Sequence, residues 1–391
     1  MSKKNLTKLA FRFVFIIGLV SLFGDMTYEG ARSINGAFLG SLGASGAVVG
    51  FVAGFGELIG YGLRSITGFF ADKSHKYWTF AFIGYAINLF AVPALALAGN
   101  WPVAAALMIA ERTGRAIRKP SMEAMLSYTG KTLGNGWVFG LNEALDQTGA
   151  TIGPLIVSFV LFLHGNYQNS YAMLLISAVL CLVVLIVARL LYPNPHELEK
   201  KSAEFIKTKG FSKAYWIYVI AGMCIAAGFV DFSLVALHFQ QTKVISAAVI
   251  PLFYSLAMAV GAITALVFGK LYDKKGLPIV LIAFFLSALF APFVFLGTFW
   301  LALLGMILWG LGMGAQDSML KAIITPVISV DKRSTAFGIF DTGFGIAWFL
   351  GSVTLGVLYD KSIFALVIIS IVLQLLALPF FIWAKQQSAV H

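Results

Sequence analysis

Asp25, Glu29 and Arg32 stand in the stretch GDMTYEGAR, inside the first long apolar run of this 391-residue chain. In a helix they fall at i, i+4 and i+7, on one face. A charged side chain at the centre of a membrane span costs roughly 2.5–3.5 kcal/mol, so such residues face a bundle interior or a water-filled cavity. The chemistry open to them is proton exchange. Burial disfavours a charged carboxylate and a nearby guanidinium favours it, so an acid held between the two can take up and release a proton as water access changes. Asp25, near mid-depth of its run, is the first candidate, followed by Glu29 and Asp146. The same groups could equally form a static ion-pair network that only ties helices together.

The spacing of the first trio recurs in Glu57, Tyr61 and Arg64. Further apolar runs carry Glu111, Arg112 and Arg115, then Glu143, Asp146 and Gln147, and later Asp231. These residues can build a polar site within the N-terminal half. Arg112 and Arg115 could instead bind an anionic group of a solute, since guanidinium makes charge-assisted bidentate contacts to carboxylate or phosphate. The five His are scattered without metal-ligand spacing, and Cys181 and Cys224 lie within apolar runs and read as inert packing residues. Neither a metal nor another cofactor is expected.

The elements that must position these groups are membrane helices. Hydrophobic residues make up 59% of the chain and charged residues 12%, far from the roughly 45–50% apolar usage of a soluble domain. A span needs about 20 apolar residues, and we count about twelve such runs, the first centred near residue 24 and the last near 373. The opening MSKKNLTKLAFRFVFIIGLV resembles a secretory leader, but the run continues past Asp25 to about Leu39 and reads as the first span. If the spans alternate, the Lys and Arg residues gather on one side, apart from Lys243 and Lys361. The positive-inside rule then places both termini in the cytoplasm. The formal charge of +11 is thus explained by topology and not by nucleic acid, for which no basic soluble module exists. Spans 1, 2, 4, 5, 7, 10 and 11 carry charges, including Asp317, Lys321 and Asp341. Spans 3, 6, 9 and 12 carry none, and read as suited to lipid on all sides.

A polar stretch, PNPHELEKKSAEFIKTKGFSK, separates six candidate spans on each side. The expected organisation is an N-terminal six-helix bundle over residues 1–192, a cytoplasmic linker over 193–213 and a C-terminal six-helix bundle over 214–391. Two internal echoes support a duplication. GFFADKSHK and GKLYDKKG place Asp72 and Asp273 at an offset of 201 positions, and FGLNEALDQTGATIG and FGIFDTGFGIAWFLG match Glu143 to Asp341 at an offset of 198. A duplicated helical unit is an architecture of many secondary transporters.

The loop after span 2 carries the signature G-x-x-x-D-[RK]-x-G-[RK] as Gly68, Asp72, Lys73 and Lys76, with His75 in place of the usual second Gly, and it recurs more weakly after span 8. Over essentially its whole length the chain resembles the major facilitator superfamily. The resemblance implies an all-α integral membrane protein of twelve transmembrane helices in two pseudo-symmetric six-helix bundles, rocking about a central site with spans 3, 6, 9 and 12 outermost. It implies that Asp72 helps latch the cytoplasmic face, with Asp273 a weaker equivalent; Arg118 is a candidate partner of Asp72 in that gate, to which Asp341 is also assigned. Gly140, Gly149, Gly153 and Pro154 match a pattern that the superfamily associates with antiporters, while Val157 and Ser158 replace its final pair of glycines. The stretch ERTGRAIRKPSMEAM resembles a microbial branch of permeases and efflux proteins.

The expectation is therefore a secondary active transporter that moves a small organic solute by alternating access, as proton-coupled efflux, in the plasma membrane or the inner membrane of a Gram-negative cell. The alternative is proton-coupled uptake of an anionic or zwitterionic metabolite. A membrane-embedded enzyme would need a convergent nucleophile, metal or cofactor site. The expected partners are the solute, protons and the lipid bilayer, and the expected state is monomeric.

Overall fold

In the computed structural model the residues described are 3–133, 135–195, 210–328 and 333–388. They are helical with short connections, and no strand occurs among them. In the absence of water a backbone can satisfy its own polar groups by forming helices, which the long apolar runs of this chain do. Eleven helical stretches are long and apolar enough to cross a membrane. A further helix, α4 (Trp101–Leu133), is 33 residues long and misses that description through its charges. The chain is a multi-pass membrane protein.

Spatial contacts divide the chain into two compact units. The first contains Met1–Ser33 and Ile59–Glu204, the second Ile34–Leu58 and Phe205–His391. Residues 34–58, from the end of the first helix to the middle of the second, group with the C-terminal helices.

The first unit is built from α1 (Lys3–Ser41), α2 (Gly46–Ser74), α3 (Tyr77–Ala94), α4, α5 (Asn135–His164) and α6 (Tyr167–Leu191), without residues 34–58. Its core joins Ile17 and Val20 of α1, Tyr85 and Leu89 of α3, Met125 of α4 and Cys181 of α6. The pair α3 and α4 is in backbone contact at Gly84 and Gly114. A Cβ on Gly84 would lie 2.6 Å from the Gly114 carbonyl oxygen, and one on Gly114 would lie 2.5 Å from the Asn88 nitrogen. Gly149 and Gly153 do the same for α5 against α1, where an added Cβ would lie 2.2 Å from Leu22 O and 2.3 Å from Met26 O. Small residues are what allows membrane helices to approach this closely.

In the second unit two spans are interrupted. One divides into α7 (Lys213–Gly228) and α8 (Phe232–Thr242), another into α10 (Leu277–Ala288) and α11 (Phe290–Leu296). The second break has a direct cause: Pro292 has no N–H to donate and clashes with the carbonyl four residues back, that of Ala288, where α10 ends. The break in the seventh span contains no proline. There Asp231 caps α8, its Oδ1 accepting from the Ser233 N–H at 2.8 Å. The carbonyls freed by the break find partners in neighbouring helices. Trp309 of α12 (Phe299–Ile324) donates to Val230 O at 2.9 Å, and Ser370 of α14 (Ile363–Ser388) donates to Gly228 O at 2.7 Å. Gln374 reaches the same Gly228 oxygen at 3.2 Å.

The charge-free spans are not suited to lipid on all sides. Asn88 on span 3, Ser177 on span 6, Ser287 on span 9 and Gln374 on span 12 are buried, and each makes a hydrogen bond to a neighbouring helix or to its own helix. These short uncharged polar side chains give such spans one inward face, which a search for charges passes over. The glycines of GLGMGAQ serve packing: a Cβ on Gly310 would lie 2.3 Å from Ala257 O, and one on Gly314 would lie 2.1 Å from Gly261 O of α9 (Ile250–Lys275).

Candidate functional site

Charged residues in the first unit collect between α1, α4 and α5, with α3 behind them. Asp25 is 3% exposed, and its Oδ1 lies 3.7 Å from Nη2 of Arg118. Tyr28, one turn further along α1, donates to the other oxygen at 3.2 Å. Asp146 of α5 lines the same cavity as Asp25. Arg118 is fixed from its far side by α3: its Nη1 donates to the Tyr85 hydroxyl at 2.9 Å, and the guanidinium sits 4.4 Å from the centre of that ring. Arg115, one turn earlier on α4, lies 4.2 Å over the Tyr28 ring.

This cluster borders a cavity of about 110 Å³. One side is formed by Arg115, Arg118 and Lys119 of α4, another by Asn142, Glu143 and Asp146 of α5, and α1 contributes Ser21 and Asp25. Ser21 donates to Asn142 at 3.2 Å across α1 and α5. Glu143 is exposed and accepts from Gln147 at 2.9 Å. The arrangement can compensate a buried negative charge with a guanidinium and admit a polar solute.

The remaining expected residues are not among those lining this cavity. Glu29 and Arg32 are buried and lie 3.9 Å apart on α1. Glu111 accepts from Asn88 Nδ2 at 2.8 Å, and its other oxygen lies 3.4 Å from Arg112, so it is tied to α3. Arg64 lies over the Tyr61 ring at 4.9 Å, whereas Glu57 belongs to the other compact unit. Asp231 is the cap of α8. In the loop signature, Gly68 packs near Pro120 of α4, while Asp72 and Lys73 are exposed. The expected Arg118–Asp72 pair is not formed: Asp72 accepts from Tyr77 at 3.0 Å, and Arg118, being buried, is neutralised by buried Asp25. Asp341 is half-buried on α13 (Arg333–Lys361), and the side chain of Asp273 lies outside the described residues. Of the antiporter-type pattern, Gly149 and Gly153 make the close contact with α1, Pro154 lies inside α5, and Gly140 has nothing within 4 Å of an added Cβ.

His238 is buried at 3% exposure, with its ring against Phe295 at 4.9 Å and the Tyr359 hydroxyl 3.4 Å from Nδ1. Residues that charge counting passed over include Tyr28, Tyr85 and Asn88. A signal was available for each: Tyr28 shares the helix face of Asp25, and Asn88 is a lone amide in an apolar span.

A buried ion cluster opening on a polar cavity inside a multi-pass helical protein is an arrangement that a membrane transporter can use. The model of the Major Facilitator Superfamily matches residues 14–352, and the chain belongs to that superfamily. It is thus a transporter of small molecules and not an enzyme. An uncharacterized protein of Mycobacterium tuberculosis is 37% identical over 375 residues, covering 94% of this chain and 92% of its own. An uncharacterized MFS-type transporter of Methanocaldococcus jannaschii is 27% identical over 361 residues, 89% of each chain. Among solved structures, the nucleoside transporter NupG superposes with a TM-score of 0.73 at 14% identity, covering 94% of this chain and 99% of its own. A peptide transporter POT in complex with sulfate superposes with a TM-score of 0.75 at 15% identity over 99% of both chains. At these identities the solved structures share the fold alone.

Proposed function

We propose that the chain is a proton-coupled secondary transporter that exports a small organic solute by antiport, through alternating access of a site lined by the charged groups of α1, α4 and α5. The observation that carries the proposal is the buried Asp25–Arg118 pair at the wall of a polar cavity that Asp146 also lines. Burial of Asp25 disfavours its ionised form, so this carboxyl can take up a proton when water reaches it. When solute or water reaches the cavity, Arg118 can compensate the charge that deprotonation leaves on Asp25, so the proton can depart without stranding a bare buried carboxylate. Antiport is supported by Gly149, Gly153 and Pro154 on α5, and the efflux direction by the resemblance to a branch of efflux proteins. The duplicated halves on either side of residues 193–213, with both termini cytoplasmic, complete this reading.

The experiment is solute flux in proteoliposomes with an imposed pH gradient. Efflux against a solute gradient should be driven by inward proton movement in the unaltered chain. Asp25→Asn should uncouple solute movement from the pH gradient while melting at close to the parent temperature in detergent. Solute flux that ignores the pH gradient, with Asp25→Asn folded and equally active, would overturn the proton-coupled reading.

A further inference from the structure

The first unit holds a second buried carboxyl that stands apart from the cavity. Glu111 of α4 is 6% exposed and is not among the residues that line that space. Glu111, Arg115 and Arg118 stand at i, i+4 and i+7, so they share one face of α4, and Glu111 lies about 10 Å from Arg118 along the helix axis. α1 follows this face in the opposite direction: Asp25 meets Arg118, and Tyr28 meets Arg115. A polar column therefore runs from Asp25 at the cavity, past Tyr28 and Arg115, toward Glu111.

The two carboxyls are served alike. Arg118 lies 3.7 Å from Asp25, and Arg112 lies 3.4 Å from Glu111. Each carboxyl also has a neutral partner able both to donate and to accept. For Asp25 this is the Tyr28 hydroxyl at 3.2 Å, and for Glu111 it is the Asn88 amide, whose Nδ2 donates at 2.8 Å. Asn88 is fully buried, and its Oδ1 meets no donor among the described residues. With Glu111 ionised, the amide donates to it. With Glu111 protonated, the amide can turn over so that the carboxyl O–H donates to Oδ1. A static ion pair needs donors alone, whereas a carboxyl that gains and loses a proton needs a partner for both of its states. Arg112, Arg115 and Arg118 of its own helix and Glu29 of α1 also act on Glu111 electrostatically, while α3 presents the uncharged Asn88.

We propose that Glu111 is a second proton-binding carboxyl of the transport cycle, exchanging its proton with Asp25 across the level of Tyr28 and Arg115. In the exchange the O–H bond of one carboxyl breaks as one forms on the other, water carries the proton between them, and the net charge of the two carboxyls is unchanged. Whichever carboxyl is left ionised keeps its own guanidinium, so neither end strands an uncompensated charge. This rests on the reading of Asp25 as a proton carrier, and it adds a second station for the proton outside the cavity.

The test is infrared difference spectroscopy of the full chain in detergent, following the absorption of protonated carboxyl groups as the pH is changed. Glu111→Gln keeps an oxygen for Asn88 Nδ2 and should melt close to the parent temperature, and its spectrum should lack one carboxyl band that titrates in the parent. Asp25→Asn should remove a different band and move the pH at which the Glu111 band titrates, because groups that share a proton titrate as a pair. Asn88→Ala should also move the Glu111 band, a response that a permanently ionised carboxylate cannot give. Identical titrating bands in the parent, Glu111→Gln and Asn88→Ala would overturn the proposal. A Glu111 band that Asp25→Asn leaves unmoved would overturn the exchange. A Glu111 band with no band lost in Asp25→Asn would instead overturn Asp25 as the carrier and leave Glu111 standing as a proton site.

Discussion

At the scale of single residues, the protein places a carboxylate where it is costly and then compensates it from two helices. Asp25 receives Arg118 from α4 and Tyr28 from its own helix. Removing one partner of a buried pair is worse than removing both, because the survivor keeps its desolvation cost. Arg118→Ala should therefore destabilise the protein by about 3–5 kcal/mol, read as a lowered melting temperature in detergent. The double variant Asp25→Asn with Arg118→Ala should recover part of that loss. An Arg118→Ala protein as stable as the parent would mean that the pair carries no structural weight. Asp25 was legible in the sequence because a carboxylate in an apolar run has few tolerable positions. Its cation was not: Arg115, Arg118 and Asp72 allow several pairings on paper, and only distance chooses among them.

At the scale of elements, helix spacing and helix interruption decide where the charges stand. Gly149 and Gly153 let α5 approach α1 closely, and Asp146 and Asp25 line one cavity between them. Gly149→Val should push the helices apart and abolish folded, monodisperse protein in detergent, since even one added carbon would lie 2.2 Å from Leu22 O. Gly62 is the contrast: an added Cβ there has nothing within 4 Å, so Gly62→Ala should fold normally and gain up to about 1 kcal/mol from reduced backbone freedom. The break in the seventh span should depend on its cap. Asp231→Ala should cost about 0.5–2 kcal/mol, seen as a lower melting temperature and faster hydrogen exchange at the start of α8. The twelve apolar runs were legible from composition and length. The breaks were legible unequally: Pro292 marks one, whereas the other depends on Trp309, Ser370 and Gln374, which are about 80–150 residues away in sequence.

At the scale of the whole molecule, the two compact units do not coincide with the two sequence halves. Residues 34–58 group with the C-terminal helices because Gly46, Gly50 and Gly54 bring that part of α2 onto α13. A Cβ on Gly50 would lie 2.3 Å from Ser352 O, and the Asp360 carboxylate accepts from the Gly46 and Ala47 N–H groups at 2.7 and 2.8 Å. Gly50→Leu should release this segment, and hydrogen exchange should rise over residues 46–58 and 349–360 while the α3–α4 contact stays protected. Uniform loss of protection across the chain would show instead that the segment is integral to global folding. A glycine stripe at positions 46, 50 and 54 states that something packs closely without naming what.

The sequence by itself determined the membrane class, the number and approximate limits of the spans, the duplicated loop signature and the carboxylates in need of burial partners. Those follow from local quantities: apolar run length, charge in hydrocarbon and residue spacing along a helix. The tertiary structure decided that Arg118 serves Asp25 and not Asp72, that Asn88 anchors Glu111, that the seventh span is broken and that residues 34–58 leave their own half. Each of those choices depends on energies between groups far apart in the chain, where several pairings satisfy the same local rules and only close packing selects one.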